Sequence, residues 1–139
     1  MKKFKKLVLL FLAATVTLVS CNKDDDKEAS IEGSWEYSQE TNFTGELVAY
    51  QHTADCNKDY VQILAGGVIK DFYYETFGSV VCEESIYEAA WARSGNNLTI
   101  TDSGETYTSE ILELTDTTLK LKYTDPDDDS VDITVFTRR

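Results

Sequence analysis

Three cysteines, a single histidine and 25 acidic residues are the groups of this 139-residue chain whose types could carry chemistry. Cys21 follows Leu18-Val19-Ser20, the end of an apolar run from Leu7 to Val19 that begins after Lys2, Lys3, Lys5 and Lys6. A cationic start, a short apolar segment and a small residue before cysteine together read as a lipoprotein export signal, cleaved so that the Cys21 thiol takes lipid. The apolar run falls short of the ~20 residues of a bilayer-spanning helix, so the membrane is held by acyl chains, each buried CH₂ adding about 0.8 kcal/mol. Cys56 and Cys82 then remain as an even pair in an exported chain, where disulfides persist, and a bond between them is expected. Two widely spaced cysteines with only His52 nearby do not make a zinc set, and no Cys-x-x-Cys is present.

The remaining chemistry is weaker. Asp125, Asp127 and Asp129 imitate the odd-position ligands of a calcium loop, but Ser130 stands where that loop needs glycine and Phe136 where it needs the bidentate glutamate. An EF-hand is excluded, and the acids read as a polar hairpin turn. His52 has no Gly-x-Ser-x-Gly or His-Glu-x-x-His string beside it and reads as a surface residue. With 25 acids, some carboxylate pair falls at a workable separation by chance, so the count is no sign of a glycosidase. No catalytic residue, cofactor or metal is expected.

Cleavage after residue 20 leaves 119 residues, enough for one domain with one modest core. The leader removes four of the 13 basic residues and no acid, so nine face 25 and the mature charge is −16. Such a field repels phosphate backbones and anionic headgroups, which argues against nucleic-acid partners and against a polybasic membrane contact. The organisation expected is a signal at 1–20, the lipidated cysteine with an acidic tether at 21–30, and one domain at 31–139, as a monomer. The tether, Asn22-Lys23-Asp24-Asp25-Asp26-Lys27-Glu28-Ala29-Ser30, has nothing to bury. Acids directly after the lipidated cysteine resemble the surface-export tag of some Gram-negative lipoproteins, so the expected location is the outer membrane, with display at the cell surface favoured over a periplasm-facing site.

Positioning these groups falls to strands. Beyond Ser30 the hydrophobic period is two, with β-branched and aromatic residues between turn residues about every ten positions. Strands are expected at Ser34 to Gln39, Glu46 to Gln51, Tyr60 to Leu64, Val68 to Glu75, Ile86 to Arg93, Leu98 to Thr101, Tyr107 to Leu114, Leu119 to Tyr123 and Val131 to Arg138. Glu83 to Arg93 has helical propensity, but the alternation of Tyr87, Ala89 and Trp91 favours a strand. Short turns make the pairs antiparallel hairpins. Eight or nine short strands must hide two edges, so the fold expected is all-β, an up-and-down barrel of about eight strands, with a β-sandwich as the alternative.

Gly33-Ser34-Trp35 at the first strand, Cys56-Asn57-Lys58-Asp59 before a later one, Cys82 after the next hairpin, and Trp91 followed by Gly95-Asn96-Asn97-Leu98-Thr99-Ile100 carry a resemblance. Over most of Ile31 to Arg139 the chain resembles the lipocalin-like domain of short bacterial lipoproteins. The resemblance implies a barrel whose closed end holds the Trp35 indole, with a late arginine, Arg138 or Arg139, packed across it by cation–π attraction. The Thr-Asp-Tyr box of larger lipocalins is absent. Within that frame Phe72-Tyr73-Tyr74 is the most aromatic stretch. Alternation sends Phe72 and Tyr74 to one face and Tyr73 to the other, and one of these faces lies outside or against a cavity. Phe72, Tyr74, Tyr87 and Trp91 are the candidate wall for a small apolar or amphipathic ligand. The competing expectation is a non-catalytic envelope module with a filled barrel and an acidic exterior that meets a partner.

Overall fold

The computed structural model describes residues 28–139. The export signal, Cys21 and the stretch through Lys27 lie outside the described residues. Nine strands follow one another: β1 Gly33–Thr41, β2 Leu47–Ala49, β3 Tyr60–Leu64, β4 Val68–Phe77, β5 Val80–Ser94, β6 Asn97–Asp102, β7 Glu105–Leu114, β8 Thr118–Thr124 and β9 Val131–Arg138. Sequential antiparallel pairing runs from β3 to β9, and β1 pairs with both β3 and β9, so the sheet closes. Closure leaves an eight-stranded barrel with β2 as a short extra strand on the far half of β1, and it removes the two edges that an open sheet would expose. The barrel, rather than the sandwich, is therefore the fold.

Two elements differ from expectation. β5 begins at Val80, six residues earlier than Ile86, because β4 runs on to Phe77 and its backbone finds partners there, Tyr73 opposite Ser85 and Glu75 opposite Glu83. Cross-strand pairing decides in favour of strand for a segment whose own propensity is mixed. β2 shrinks to three residues, since after Tyr50 donates its N–H to the Ser38 carbonyl the chain leaves the sheet for a turn at Thr53 to Cys56.

Because consecutive strands alternate direction, the turns sort onto two ends. Ala65–Gly67, Gly95–Asn96 and Thr115–Thr117 lie at one end with the start of β1. Gly78–Ser79, Ser103–Gly104, the acidic turn 125–130 and the β1–β2 loop lie at the other. The first end is closed. Trp35, Ile63, Leu98 and Leu119 are fully buried there, joined by Ile31, Val61, Ile111 and Phe136. Ile31 lies under the barrel and its carbonyl accepts the Trp35 Nε1–H at 2.7 Å. The Arg138 guanidinium stacks 3.9 Å from the Trp35 ring centroid and donates to the carbonyls of Ser30, Glu32 and Asp116. Gly33 has φ of 135°, and the Arg138 guanidinium occupies the place a Cβ would take. Only glycine therefore fits beneath this stack. Glu28, paired with Arg93, and Ser30 tie the last residues of the expected tether to the same end.

β3 ends its pairing with β1 at Glu36, so β1 and β4 diverge beyond it and leave a gap in the wall. The segment from Tyr50 to Asp59 fills that gap. The Tyr37 N–H donates to the Asp59 carbonyl, the Tyr74 N–H donates to Asp59 Oδ1, and a disulfide joins Cys56 to Cys82 of β5 with the Cα atoms 5.2 Å apart. The loop it closes spans 26 positions. In the chain-entropy account such a crosslink stabilises by roughly 3.5 kcal/mol. A Cys56→Ser/Cys82→Ser protein is expected to lose about that much in urea unfolding. A loss below about 1 kcal/mol would show that the segment holds the gap without its clamp.

Candidate functional site

The interior toward the open end is not filled. Residues paired across antiparallel strands share a face, so the buried Trp35 and Val61 place Asp71 inside, and Ile69 places Ala89 inside. Tyr73, Ser85 and Tyr87 follow by alternation, and Ile100 opposite Trp91 and Tyr107 opposite Ile100 follow by pairing. Two adjoining cavities open between these side chains. One, of ≈ 190 Å³, is walled by Tyr73, Glu75, Ser85 and Tyr87. The other, of ≈ 210 Å³, lies between Ile69, Asp71, Tyr87, Ala89, Ile100 and Tyr107, with Asp102 beside them. Tyr87 separates the two and meets the Tyr73 ring edge-on at 5.9 Å. Each space suits a small molecule or one end of a longer one.

A polar network backs the cavities. Tyr37 and Tyr73 both donate their hydroxyl protons to Asp71 Oδ2, at 2.8 and 2.6 Å, and their oxygens lie 3.1 Å apart. Among the described residues the buried Asp71 Oδ1 has no hydrogen-bond partner. Burial raises the Asp71 pKa, opposed by the two hydroxyls that favour its charged form. Burial also pushes Tyr37 and Tyr73 well above the ordinary phenol range, with the Asp71 charge adding to the effect. Tyr50 stacks on Tyr37 at 4.7 Å between centroids and donates to Asp59 Oδ2 at 2.9 Å, and burial followed by this bond raises its pKa too. All three phenols therefore stay protonated as donors. His52, expected at the surface, is instead a clip with 18% of its side chain exposed. Its Nδ1 accepts the Asp59 N–H at 3.0 Å, so the proton sits on Nε2, which donates to the Tyr37 carbonyl at 3.0 Å.

The residues expected to wall a ligand site divide. Tyr87 borders both cavities. Phe72 and Tyr74 take the outer face: Phe72 stacks on Tyr60 at 4.4 Å, with Arg139 over the other aromatic partner, Tyr60. Tyr74 lies beneath the gap-filling segment and donates to Glu84, which pushes its pKa to about 12. The inner wall is thus formed by the other parity of β4, with the Asp71 carboxylate and the Tyr73 ring, because Ile69 on that parity faces the core. Trp91 turns inward but lies near the closed end, donating its Nε1–H to the Leu64 carbonyl at 2.9 Å. Gly33, Trp35 and Arg138 meet in one stack, and Cys56 bonds Cys82. Cys21 lies outside the described residues. Asp125, Asp127 and Asp129 form a turn closed by the Asp125 carboxylate on the Asp127 N–H and by backbone bonds from Asp129 to Asp125 and from Asp125 to Ser130.

Tyr37, Tyr50, Asp59 and Asp71 are functional positions that no motif in the sequence marks. The one available signal is Asp71 itself, a charge set between Ile69 and Tyr73 on one parity of β4.

The family model of a lipocalin-like domain matches residues 31–121. Among solved structures a redesigned beta barrel is similar at 13% identity, over 78% of this chain and 90% of its own, with a TM-score of 0.39. No curated protein matches. With the family match spanning β1 through most of β8, this closed antiparallel barrel belongs to the lipocalin-like domain family.

Proposed function

We propose that this chain is a lipid-anchored, non-catalytic binding protein of the outer membrane that takes a small apolar or amphipathic molecule into the open end of its barrel. One observation carries the reading: the closed end is packed solid around Trp35, while the open end holds two adjoining cavities walled by tyrosine and aliphatic side chains. Tyrosine gives such a wall an apolar face and a polar tip, which suits amphipathic guests. The anchor rests on the sequence before Cys21, and surface display on the acids after it.

The test is native mass spectrometry with organic extraction on protein purified from the envelope, followed by titration of the recovered molecule into Tyr87→Ala protein. A co-purifying small molecule whose affinity falls about ten-fold on loss of the shared ring is expected. Bare protein that also refuses a panel of apolar and amphipathic probes would move the weight to the envelope interaction module. That second reading is favoured by one feature, the exposed apolar side chains Phe43, Phe77, Val80 and Val81 at the open-end loops.

A further inference from the structure

The cavities are unusual in their charge. Their walls carry Asp71, Asp102 and Glu75 and, among the described residues, no lysine, arginine or histidine. The lysines of β4 and β8 share the outward parity: Lys70 pairs with Glu88 and Lys122 with Glu110, and Lys120 alternates with the inward Leu119 and Leu121. Lys58, beside the gap, pairs with Glu36, also outside. Arg138 and Arg139 stack at the opposite end. A partly buried carboxylate normally has a cation or several donors near it, since an uncompensated charge in low dielectric is costly. Asp71 has two phenol donors, both on Oδ2, and among the described residues its Oδ1 has no hydrogen-bond partner.

We infer that the mouth of the barrel is selective for a small molecule bearing an ammonium group on an apolar or aromatic body, with the ammonium against the Asp71 carboxylate and the body between Tyr87, Ile100 and Tyr107. The inference rests on the reading of the open end as a ligand site and names the chemical class of its guest. Three features of the wall work together. An ammonium supplies the cationic partner that the Asp71 carboxylate has nowhere among the described residues, and charge-assisted bonds are about twice as strong as neutral ones. The rings of Tyr73, Tyr87 and Tyr107 offer faces to which a cation is attracted. Asp102 and Glu75 add a field of the same sign, which draws cations into the cleft and repels carboxylates. Cavities of ≈ 190 and ≈ 210 Å³ suit an arylalkylamine better than a long acyl chain. A carboxylate-headed guest would meet three acids and no cation.

The test uses the full processed protein and a matched set of probes: 2-phenylethylamine, 2-phenylethanol and phenylacetate, titrated by calorimetry. The amine is expected to bind about ten-fold more tightly than the alcohol, with no detectable binding of the acid. Asp71→Asn should erase the preference, lowering amine affinity about ten-fold while leaving the alcohol unchanged. Should that variant fold poorly, Asp102→Asn gives a smaller loss for the amine alone, and Glu88→Gln on the outer face leaves all three probes as they were. Equal binding of amine and alcohol, or tighter binding of the acid, overturns the inference while leaving the ligand site standing. Failure of all three probes, with an unrelated apolar molecule recovered from the native protein, overturns the amine class alone. Failure of all three with bare native protein removes the site as well.

Discussion

Replacing Trp35 by alanine is expected to destabilise the barrel by about 3–5 kcal/mol, a large part of the total stability of a domain this size. The indole is 0% exposed and touches the core on one side and the Arg138 guanidinium on the other. Its removal leaves a cavity, strips the Ile31 carbonyl of its donor and leaves Arg138 stacked on nothing. Those losses compound because they share one site: Gly33, Trp35, Ser30, Glu32 and Arg138 form a single closure of the barrel end. Trp35→Phe should cost less, keeping a ring beneath the guanidinium while losing the N–H. Phe43→Ala, at a loop residue 101% exposed, should move stability by no more than about 0.5 kcal/mol. Urea unfolding of the three variants checks this ordering, and a Trp35→Ala loss of under about 1 kcal/mol would mean that the closed end is not where the stability lies.

The second large effect is alkaline. Tyr37, Tyr50 and Tyr73 have pKa values raised above the unfolded value of about 10, first by burial and then by nearby carboxylates. A group whose folded pKa is raised holds its proton longer in the native state. Its contribution is complete below about pH 10 and declines as the unfolded chain ionises and the native one does not. Each such tyrosine costs about 1.4 kcal/mol per pH unit in that window, so Tyr37 alone removes about 2.7 kcal/mol by two units above its unfolded pKa. Tyr50 and Tyr73, more open to solvent, add a smaller, screened share. The barrel is therefore expected to unfold cooperatively between about pH 10 and pH 12, with phenolate absorbance from the buried tyrosines rising in step with loss of sheet. Tyr37→Phe should cost about 1.5–3 kcal/mol at neutral pH, since a bond to a charged group is lost, and yet flatten the alkaline decline. If all eight tyrosines ionise near pH 10 while the sheet stays intact, the buried network is not holding protons as assigned.

Most of the strands were legible because each rests on local facts. Tyr60–Leu64 and Val131–Arg138 begin and end where alternation and turn residues place them. The extra six residues of β5 were not legible, since Val80 to Ser85 become strand only by lying against β4. Phe72 and Tyr74 show the same limit at the level of side chains. Alternation separates them from Tyr73 with certainty, but which parity faces inward depends on register, and a one-residue slip would exchange the two faces. Register here is decided by Ile63 opposite Ile69 and Val61 opposite Asp71, contacts between strands rather than within one. His52 is the clearest case of a residue whose type said little. Its imidazole becomes structural because the loop that bridges the gap brings Asp59 and Tyr37 to its two nitrogens.

An all-β chain with a barrel's worth of antiparallel hairpins, a cysteine pair, a glycine–tryptophan opening and a strongly acidic balance are all written in the order of the residues, because strand period, turn chemistry and charge are properties of neighbours along the chain. That β1 meets β9, that a disulfide-clamped segment fills the gap between β1 and β4, and that Asp71 stands beside a cavity with its Oδ1 unpartnered among the described residues emerge from the closed barrel. These depend on closure, which places residues dozens of positions apart on one inward face, and no local pattern records which face that will be.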